Sequence, residues 1–369
     1  MNTWYSIFWA APMVIVAAVV VGWAAEVAQL YISQGLALAI LAWLQVSPEF
    51  AVEAVIAWQQ KQTLMVANLT GSLRLLVGFG WPLIYFTNAF FSKKQKGWPV
   101  IRLKWFNGLE VLTLLLGTMY FCLIWLKGSL TVVDSFFLFG IYFLYLYELT
   151  KLPVGLKEDE EDLPWVGQKI SRMKKPSQRW LALIFIFSIG GVLLSISTKP
   201  LIKSLEALAT VLGISSFYFI QWCAPFVSEF PEKVTAFQWA RTGRKAPMAM
   251  INMVSSNVVQ WTLMAGMIPI VFSISKNETT PLLFSDLQLK EIGITVMQSL
   301  LSICFLMDLE VTVGDATGLF VLWAVQFFYP PGREFVMVLY GFWIFMEVIS
   351  LARKKKLFYA LREYRRNKK

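Results

Sequence analysis

Apolar residues in this chain gather into blocks of about 20, divided by short polar or basic stretches, and each block is long enough to cross a hydrocarbon layer of roughly 30 Å. Blocks lie near 7–31, 34–59, 63–90, 105–126 and 131–149, and after a polar loop near 179–198, 201–240, 246–274, 289–307, 316–329 and 334–352. Only helices and closed barrels satisfy every backbone polar group inside lipid. Barrel strands would be short and would alternate in polarity, whereas these blocks are long and apolar all round. The pattern predicts an all-α polytopic membrane protein with eleven spans. The 201–240 block is too long for one straight crossing and is expected to begin with an interfacial turn around Lys203 and Glu206.

Composition agrees with the pattern. Hydrophobic residues make up 57% of 369 positions and the mean hydropathy is +0.60, more apolar surface than a soluble chain of this length can solvate. The formal charge of +10 does not point to nucleic acid, because the basic residues sit between apolar blocks and at the C-terminus. Cys122, Cys223 and Cys304 lie in apolar segments without CxxC spacing, so neither a disulfide framework nor a thiolate metal site is indicated. Histidine is absent, which leaves proton chemistry to carboxylates. The N-terminus lacks a basic leader before its long apolar stretch and reads as a first span rather than a cleaved signal peptide.

Lysine and arginine set the expected orientation. With the N-terminus outside, the loops 92–104, 150–178 and 241–245 and the tail from Arg353 to Lys369 all face inward and are basic, as the positive-inside rule requires. The acidic run Glu158–Asp162 in the second of these loops reads as a solvated linker in preference to a cation sensor. The basic tail is a topological anchor that is also suited to contact with anionic lipid. The lack of a signal peptide and of large soluble regulatory domains favours a prokaryotic plasma membrane.

The second half of the chain repeats the first. Val46-Ser-Pro-Glu49 is matched by Glu229-Phe-Pro-Glu232, Asn68-Leu-Thr-Gly-Ser72 by Asn252-Met-Val-Ser-Ser256, and the stretch ending at Asp134 by Glu310-Val-Thr-Val-Gly-Asp315, all at offsets of about 181–184. Each half holds five spans, an odd number, so the copies enter the membrane from opposite sides. The expected layout is a first five-helix repeat over 1–149, a cytoplasmic charged loop over 150–178, a second five-helix repeat over 179–330, and an extra C-terminal transmembrane helix with a basic tail over 331–369. Inverted repeats are the architecture of many secondary transporters, with the ion site at the repeat interface.

Glu49 and Glu232 follow prolines inside apolar spans. Proline removes a backbone donor and opens the helix locally, and freed carbonyls beside a carboxylate suit a dehydrated hard cation such as Ca²⁺. An ionised group at the bilayer centre costs at least about 2.5–3.5 kcal/mol, which makes such residues functional candidates. A lone acid would as readily be a hydrogen-bonded glutamate that holds helices together; two at equivalent positions favour function. Asn68 and Ser72 share a helix face, as do Asn252 and Ser256. Alone they read as packing polar groups; beside paired carboxylates they become candidate ligands. Arg74 is a candidate internal cation for Glu49 or for Glu53, one turn further along. Glu26, Glu110, Asp308 and Glu347 sit near estimated span ends, where snorkelling accounts for them.

At these residues the chain resembles the sodium/calcium exchanger family of the calcium/cation antiporter superfamily. The α-repeats of that family carry Gly-Thr-Ser-x-Pro-Glu followed by Gly-Asn-x-x-Gly-Ser-Asn. Here the first repeat offers Leu44-Gln45-Val46-Ser47-Pro48-Glu49 and Ala67-Asn68-Leu69-Thr70-Gly71-Ser72, and the second offers Val227-Ser228-Glu229-Phe230-Pro231-Glu232 and Ile251-Asn252-Met253-Val254-Ser255-Ser256. The resemblance implies a ten-helix core that exchanges Ca²⁺ against Na⁺ or H⁺. It assigns Glu49 and Glu232 as central carboxylates, with Ser72 and Ser256 as further ligands and Ser228 at the family's Thr position. The departures are specific: Gln45 and Val46 replace the Thr-Ser pair, Glu229 replaces the second-repeat Ser, and Leu76 stands where the second repeat has the polar Gln260. They leave the transported ions and their stoichiometry open.

The expectation is therefore a cation antiporter with no cofactor, whose partners are the bilayer and inorganic cations rather than nucleic acid. The candidate ligands are Glu49, Glu232, Ser72, Ser256, Ser228, Glu229, Asn68, Asn252 and Gln260. A non-transporting scaffold or sensor on the same fold is the rival, favoured by the lost first-repeat oxygens and by Arg74. With no nucleophile–base set in the sequence, an enzyme is the remotest reading.

Overall fold

The computed structural model describes residues 3–29, 34–92, 97–152, 165–173 and 175–368. The acidic run 158–162 falls outside the described residues, as do the side chains of Glu26, Leu44 and Gln45. The first half comprises α1 (Ile7–Gln29), α2 (Gln34–Trp58), α3 (Gln62–Leu75) continued through a π-helical turn into α4 (Trp81–Phe91), α5 (Gly108–Lys127) and α6 (Val132–Leu149). A short α7 (Trp165–Ser171) leads into the second half: α8 (Pro176–Val211), α9 (Ser216–Ser228), α10 (Phe230–Arg241), α11 (Ala246–Val259) continued through a second π-turn into α12 (Ala265–Lys276), α13 (Asp286–Leu306) and α14 (Val313–Phe328). Beyond the two halves come α15 (Arg333–Arg353) and α16 (Tyr359–Lys368). Helices stand at every predicted block. Among the described residues seven segments are long and apolar enough to span a membrane by themselves, while Val313–Phe328 is a shorter apolar helix.

Large apolar side chains line the outside of the bundle, Leu126 at 77% and Phe328 at 78% exposure among them. The interior, in contrast, holds carboxylates, amides and guanidinium groups. That inversion of the soluble pattern is what a hydrocarbon solvent selects, and the protein is an integral membrane protein.

The two halves are inverted copies, and several local features show it. The π-turns Leu76–Gly80 and Gln260–Met264 lie at equivalent positions. Four two-residue strands, β1 (Ile101–Arg102), β2 (Ser129–Leu130), β3 (Leu282–Leu283) and β4 (Glu310–Val311), form two antiparallel ladders, β1 with β4 and β2 with β3. Strand β1 follows the third segment of its half and β4 follows the fourth segment of the other. Those two loops share a membrane side only if one half is upside down. The ladders extend by equivalent bonds, Leu103 N to the Leu309 carbonyl at 2.8 Å and Phe284 N to the Gly128 carbonyl at 3.0 Å. Gly128 and Leu309 occupy the same place and both are left-handed, with φ of 74° and 60°. Glycine adopts that conformation freely, whereas leucine does so only where the surroundings impose it.

Matched chemistry also starts the fifth helix of each half. Thr131 and Asp134 form a capping box at the start of α6, as Thr312 and Asp315 do at α14. Each hydroxyl accepts from the aspartate N–H while the aspartate accepts from the threonine N–H, so two orphan donors are satisfied at once. The aspartates of the repeat are thus the third-residue partners of capping threonines.

Three expectations need correction. The interfacial turn does not fall at Lys203 and Glu206, because α8 runs unbroken for 36 residues to Val211. Glu206 is matched there by Lys61 at 2.5 Å, and the chain turns instead at Gly213, whose φ is 67°. Glu110 does not snorkel: it is 2% exposed in the first turn of α5, where α16 covers the helix start so closely that a Cβ on Gly108 would lie 2.5 Å from the Ala360 carbonyl oxygen. Finally, proline acts differently in the two halves. Helix α2 continues through Pro48, whereas the second half breaks between α9 and α10, with Glu229 as the N-cap and proline in the first turn of α10. Proline suits a first turn because the missing N–H has no intrahelical partner there.

Candidate functional site

Glu49 and Glu229 meet through Ser72 and Gln260 where α2, α3, α9, α10 and α11 pack, and Glu232 lies three residues beyond Glu229. Glu49 on α2 is 1% exposed, and its Oε2 accepts from the Gln260 amide at 2.6 Å. The same nitrogen lies 2.8 Å from Ser72 Oγ and 3.1 Å from Glu229 Oε1. Ser72 also donates to Glu229 Oε1. Gln260 stands at the first residue of the second π-turn, and the equivalent Leu76 opens the first. Widened turns of this kind shift a side chain relative to the rest of its helix and recur at functional sites.

Glu229 is held from its other oxygen by Lys233, whose Nζ lies 2.5 Å from Oε2, with both side chains buried. The pair forms because Glu229 caps α10 and Lys233 follows four residues on, so both project from the first turn. Glu232, three residues beyond Glu229, accepts from Ser256 on α11. Its place in the first turn of α10 favours an anion at the positive end of that helix. Glu49 Oε1, Glu232 Oε2 and Gln260 Oε1 are buried acceptors without a hydrogen-bond partner. Among the described residues no three acids stand near enough to enclose an ion unaided. Hydroxyl and amide groups separate the carboxylates, and an ion held here would be shared by all three kinds of oxygen.

Other candidates lie outside this set. Asn68 donates to Glu53 at 2.6 Å, which ties α3 to α2 one turn away from Glu49. Ser228 donates to the carbonyl of Ala224, one turn back on its own helix, at 3.1 Å. Asn252 is buried on α11 without a hydrogen bond to either repeat carboxylate.

Arg74 does not pair with Glu49 or Glu53. Two residues after Ser72, it projects about 200° round the helix and points away from the acids. There it binds Glu291 Oε2 at 2.6 Å and Gln326 at 2.9 Å. Arg333, from α15, takes Glu291 Oε1 at 2.5 Å, and Gln221 donates to Oε2 at 2.9 Å. The Arg74 guanidinium lies 5.0 Å from the Trp222 ring and that of Arg333 lies 4.5 Å from the Tyr218 ring. This second buried centre fastens the extra helix to both halves. With Lys233, it is what sequence reading missed. The available signals were an acid inside a predicted span (Glu291), a basic residue beside a repeat acid (Lys233), and glutamines in apolar segments (Gln221, Gln326).

In three dimensions the chain is similar to the crystal structure of the H⁺/Ca²⁺ exchanger CAX, with a TM-score of 0.89 and 29% identity over 99% of this chain and 91% of that one. It shares its fold with native YfkE (TM-score 0.62, 14% identity, 86% and 89% covered) and with the sodium-calcium exchanger NCX_Mj (TM-score 0.56, 15% identity, 89% and 99% covered). No curated protein matches it in sequence. The family model for sodium/calcium exchanger proteins matches residues 1–151 and 182–330, the same two stretches that fold as inverted copies around the paired glutamates. With both repeats matched, the chain belongs to the sodium/calcium exchanger protein family.

Proposed function

We propose that the protein is a secondary antiporter that carries Ca²⁺, or a divalent cation of similar hardness, against protons by alternating access. The charge balance of the buried site carries this reading. With Glu53 protonated and bound to Asn68, three buried carboxylates remain, Glu49, Glu229 and Glu232, against one buried ammonium, Lys233, which pairs with Glu229. If all four are ionised, two negative charges lack a counter-charge in a medium where an unpaired charge costs at least about 2.5–3.5 kcal/mol. One divalent cation meets that deficit, and so do two protons. Each makes the other redundant, and a site that holds one or the other at every crossing exchanges them.

Glu49, Glu232, Ser72, Ser256 and the amide oxygen of Gln260 supply the hard oxygen donors that Ca²⁺ prefers. Glu229 stays with Lys233. Sodium would need further neutral oxygens, and the first half places Val46 and Leu76 where they would come from. CAX, similar over nearly the whole chain, is by name an H⁺/Ca²⁺ exchanger. Rocking of one half against the other would expose the site to each side in turn. The Lys/Arg distribution supports an outside N-terminus, with a cytoplasmic 150–178 loop and tail; a prokaryotic plasma membrane remains our reading of the location.

The test is Ca²⁺ uptake into proteoliposomes with an acidic interior. Uptake should collapse when the pH gradient is dissipated, and Glu49→Gln and Glu232→Gln should each abolish it. Uptake that survives Glu232→Gln defeats the site, and uptake driven by a sodium gradient alone defeats the proton as counter-ion.

A further inference from the structure

The second half carries an ion pair that the first half lacks. Positions equivalent to Glu229 and Lys233 are Val46 and Phe50, so the inverted copy has neither charge. The pair is not a surface ornament, for Lys233 is 5% and Glu229 3% exposed. Nor is it remote from the acids. The oxygen of Glu229 that Lys233 leaves free accepts from Ser72 and lies 3.1 Å from the Gln260 amide, and that amide also binds Glu49. One carboxylate therefore faces the transport site with one oxygen and an ammonium with the other.

A lysine ammonium is a compact monovalent cation with three donors and no acceptor. Seated 2.5 Å from a buried carboxylate oxygen, it does what a bound monovalent metal ion would do: it neutralises one charge and satisfies one set of lone pairs. Its tether prevents it from leaving. We propose that Lys233 is a built-in monovalent cation, filling at Glu229 the position that a free sodium ion would otherwise take and so excluding sodium from the exchange. The inference rests on the antiport reading above and deepens it, since it names the residue that sets ion selectivity at that site. Phe50, in the equivalent place, has no acid to neutralise, which agrees with a single closed position.

The experiment is Lys233→Met in the full chain, compared in sodium chloride and in choline chloride of equal ionic strength. Wild-type thermal unfolding in detergent should be the same in both salts. In the variant, sodium should fill the vacated place and raise the midpoint by about 3–4 °C at roughly 100 times its Kd, the shift expected when a ligand binds only the folded state of a chain of this length. Ca²⁺ uptake by the variant should become sodium-sensitive by several-fold. Lys233→Met combined with Glu229→Gln removes both charges and should return the protein to sodium indifference, while Lys233→Arg should never leave it. A single variant as indifferent to sodium as the wild type, or a wild type that itself responds, overturns the proposal. Should the single variant extract poorly, its yield in sodium must exceed that in choline; equal loss in both also overturns it. A wild type that carries no Ca²⁺ sinks the antiport reading instead, and the thermal measurement still decides the role of Lys233.

Discussion

Around Glu49 three buried carboxylates share one ammonium; around Arg74 two buried guanidinium groups share one carboxylate. The two centres sit on opposite sides of α3 and use the same raw materials, yet their bonding differs. Both oxygens of Glu291 are taken, one by Arg333 and the other by Arg74 and Gln221, and aromatic rings cover the guanidinium faces. In the acid centre Glu49 and Glu232 each keep one oxygen without a partner. A saturated carboxylate offers nothing to an arriving cation. A half-satisfied one in low dielectric requires something, because a buried acceptor left empty costs about 1–3 kcal/mol and more when charged. Charge at membrane depth is therefore not enough to mark the proposed transport site; unfilled carboxylate oxygens are what separate the two centres. The contrast also removes one of the two observations that favoured a silent scaffold, since Arg74 is bound to Glu291 and away from the acid centre.

Several substitutions would break or sharpen this contrast. The largest effect on stability is expected from Glu291→Leu, which strands two buried guanidinium groups. Removing one side of a buried, hydrogen-bonded ion pair costs about 3–5 kcal/mol, and thermal unfolding in detergent should show that loss. Gly71→Leu comes next. A Cβ there would lie 1.7 Å from the Gln221 carbonyl oxygen, so α3 and α9 must separate. Overpacking of this kind costs about 1–3 kcal/mol, and because Ser72 and Gln221 move with it, both stability and Ca²⁺ uptake should fall.

A smaller change should follow Thr312→Ala, which removes one capping box; about 1 kcal/mol is usual for such a cap, and uptake per folded molecule should hold. Glu53→Gln preserves shape and the contact with Asn68. Uptake should stay within about twofold of wild type, a factor equivalent to ~0.4 kcal/mol. A loss as complete as that of Glu49→Gln would place Glu53 inside the acid centre and redraw the charge balance.

Much of this was readable in the sequence. Apolar blocks gave the helices to within a few residues at most ends, because nothing but length and hydropathy decides whether a segment enters lipid. The internal repeat gave the inverted halves; Glu49, Ser72 and Gln260 meet at Glu229, while Glu232 is held by Ser256 three residues beyond it. Ladder pairing, the capping boxes and the matched π-turns are consequences of that same duplication. Other features were hidden for physical reasons. Arg74 was placed with the wrong acid because its partner lies 217 residues away, and only helix phase, not proximity in sequence, decides which face it takes. The break before α10 and the continuity of α2 through Pro48 depend on how neighbouring helices accommodate a missing hydrogen bond, which no local motif encodes. The spacing of Lys233 four residues after Glu229 is legible as a helical ion pair; what the sequence hides is the pair's burial beside Ser72 and Gln260.

In the proposed mechanism one buried deficit of two charges is met either by a divalent cation or by protons. Proton release on Ca²⁺ addition to purified protein in weakly buffered detergent solution tests it most directly. The expected result is two protons released per Ca²⁺ bound, with both binding and release lost in Glu49→Gln and retained in Thr312→Ala. Ca²⁺ that binds without proton release, or that binds equally well after Glu49→Gln, would contradict it.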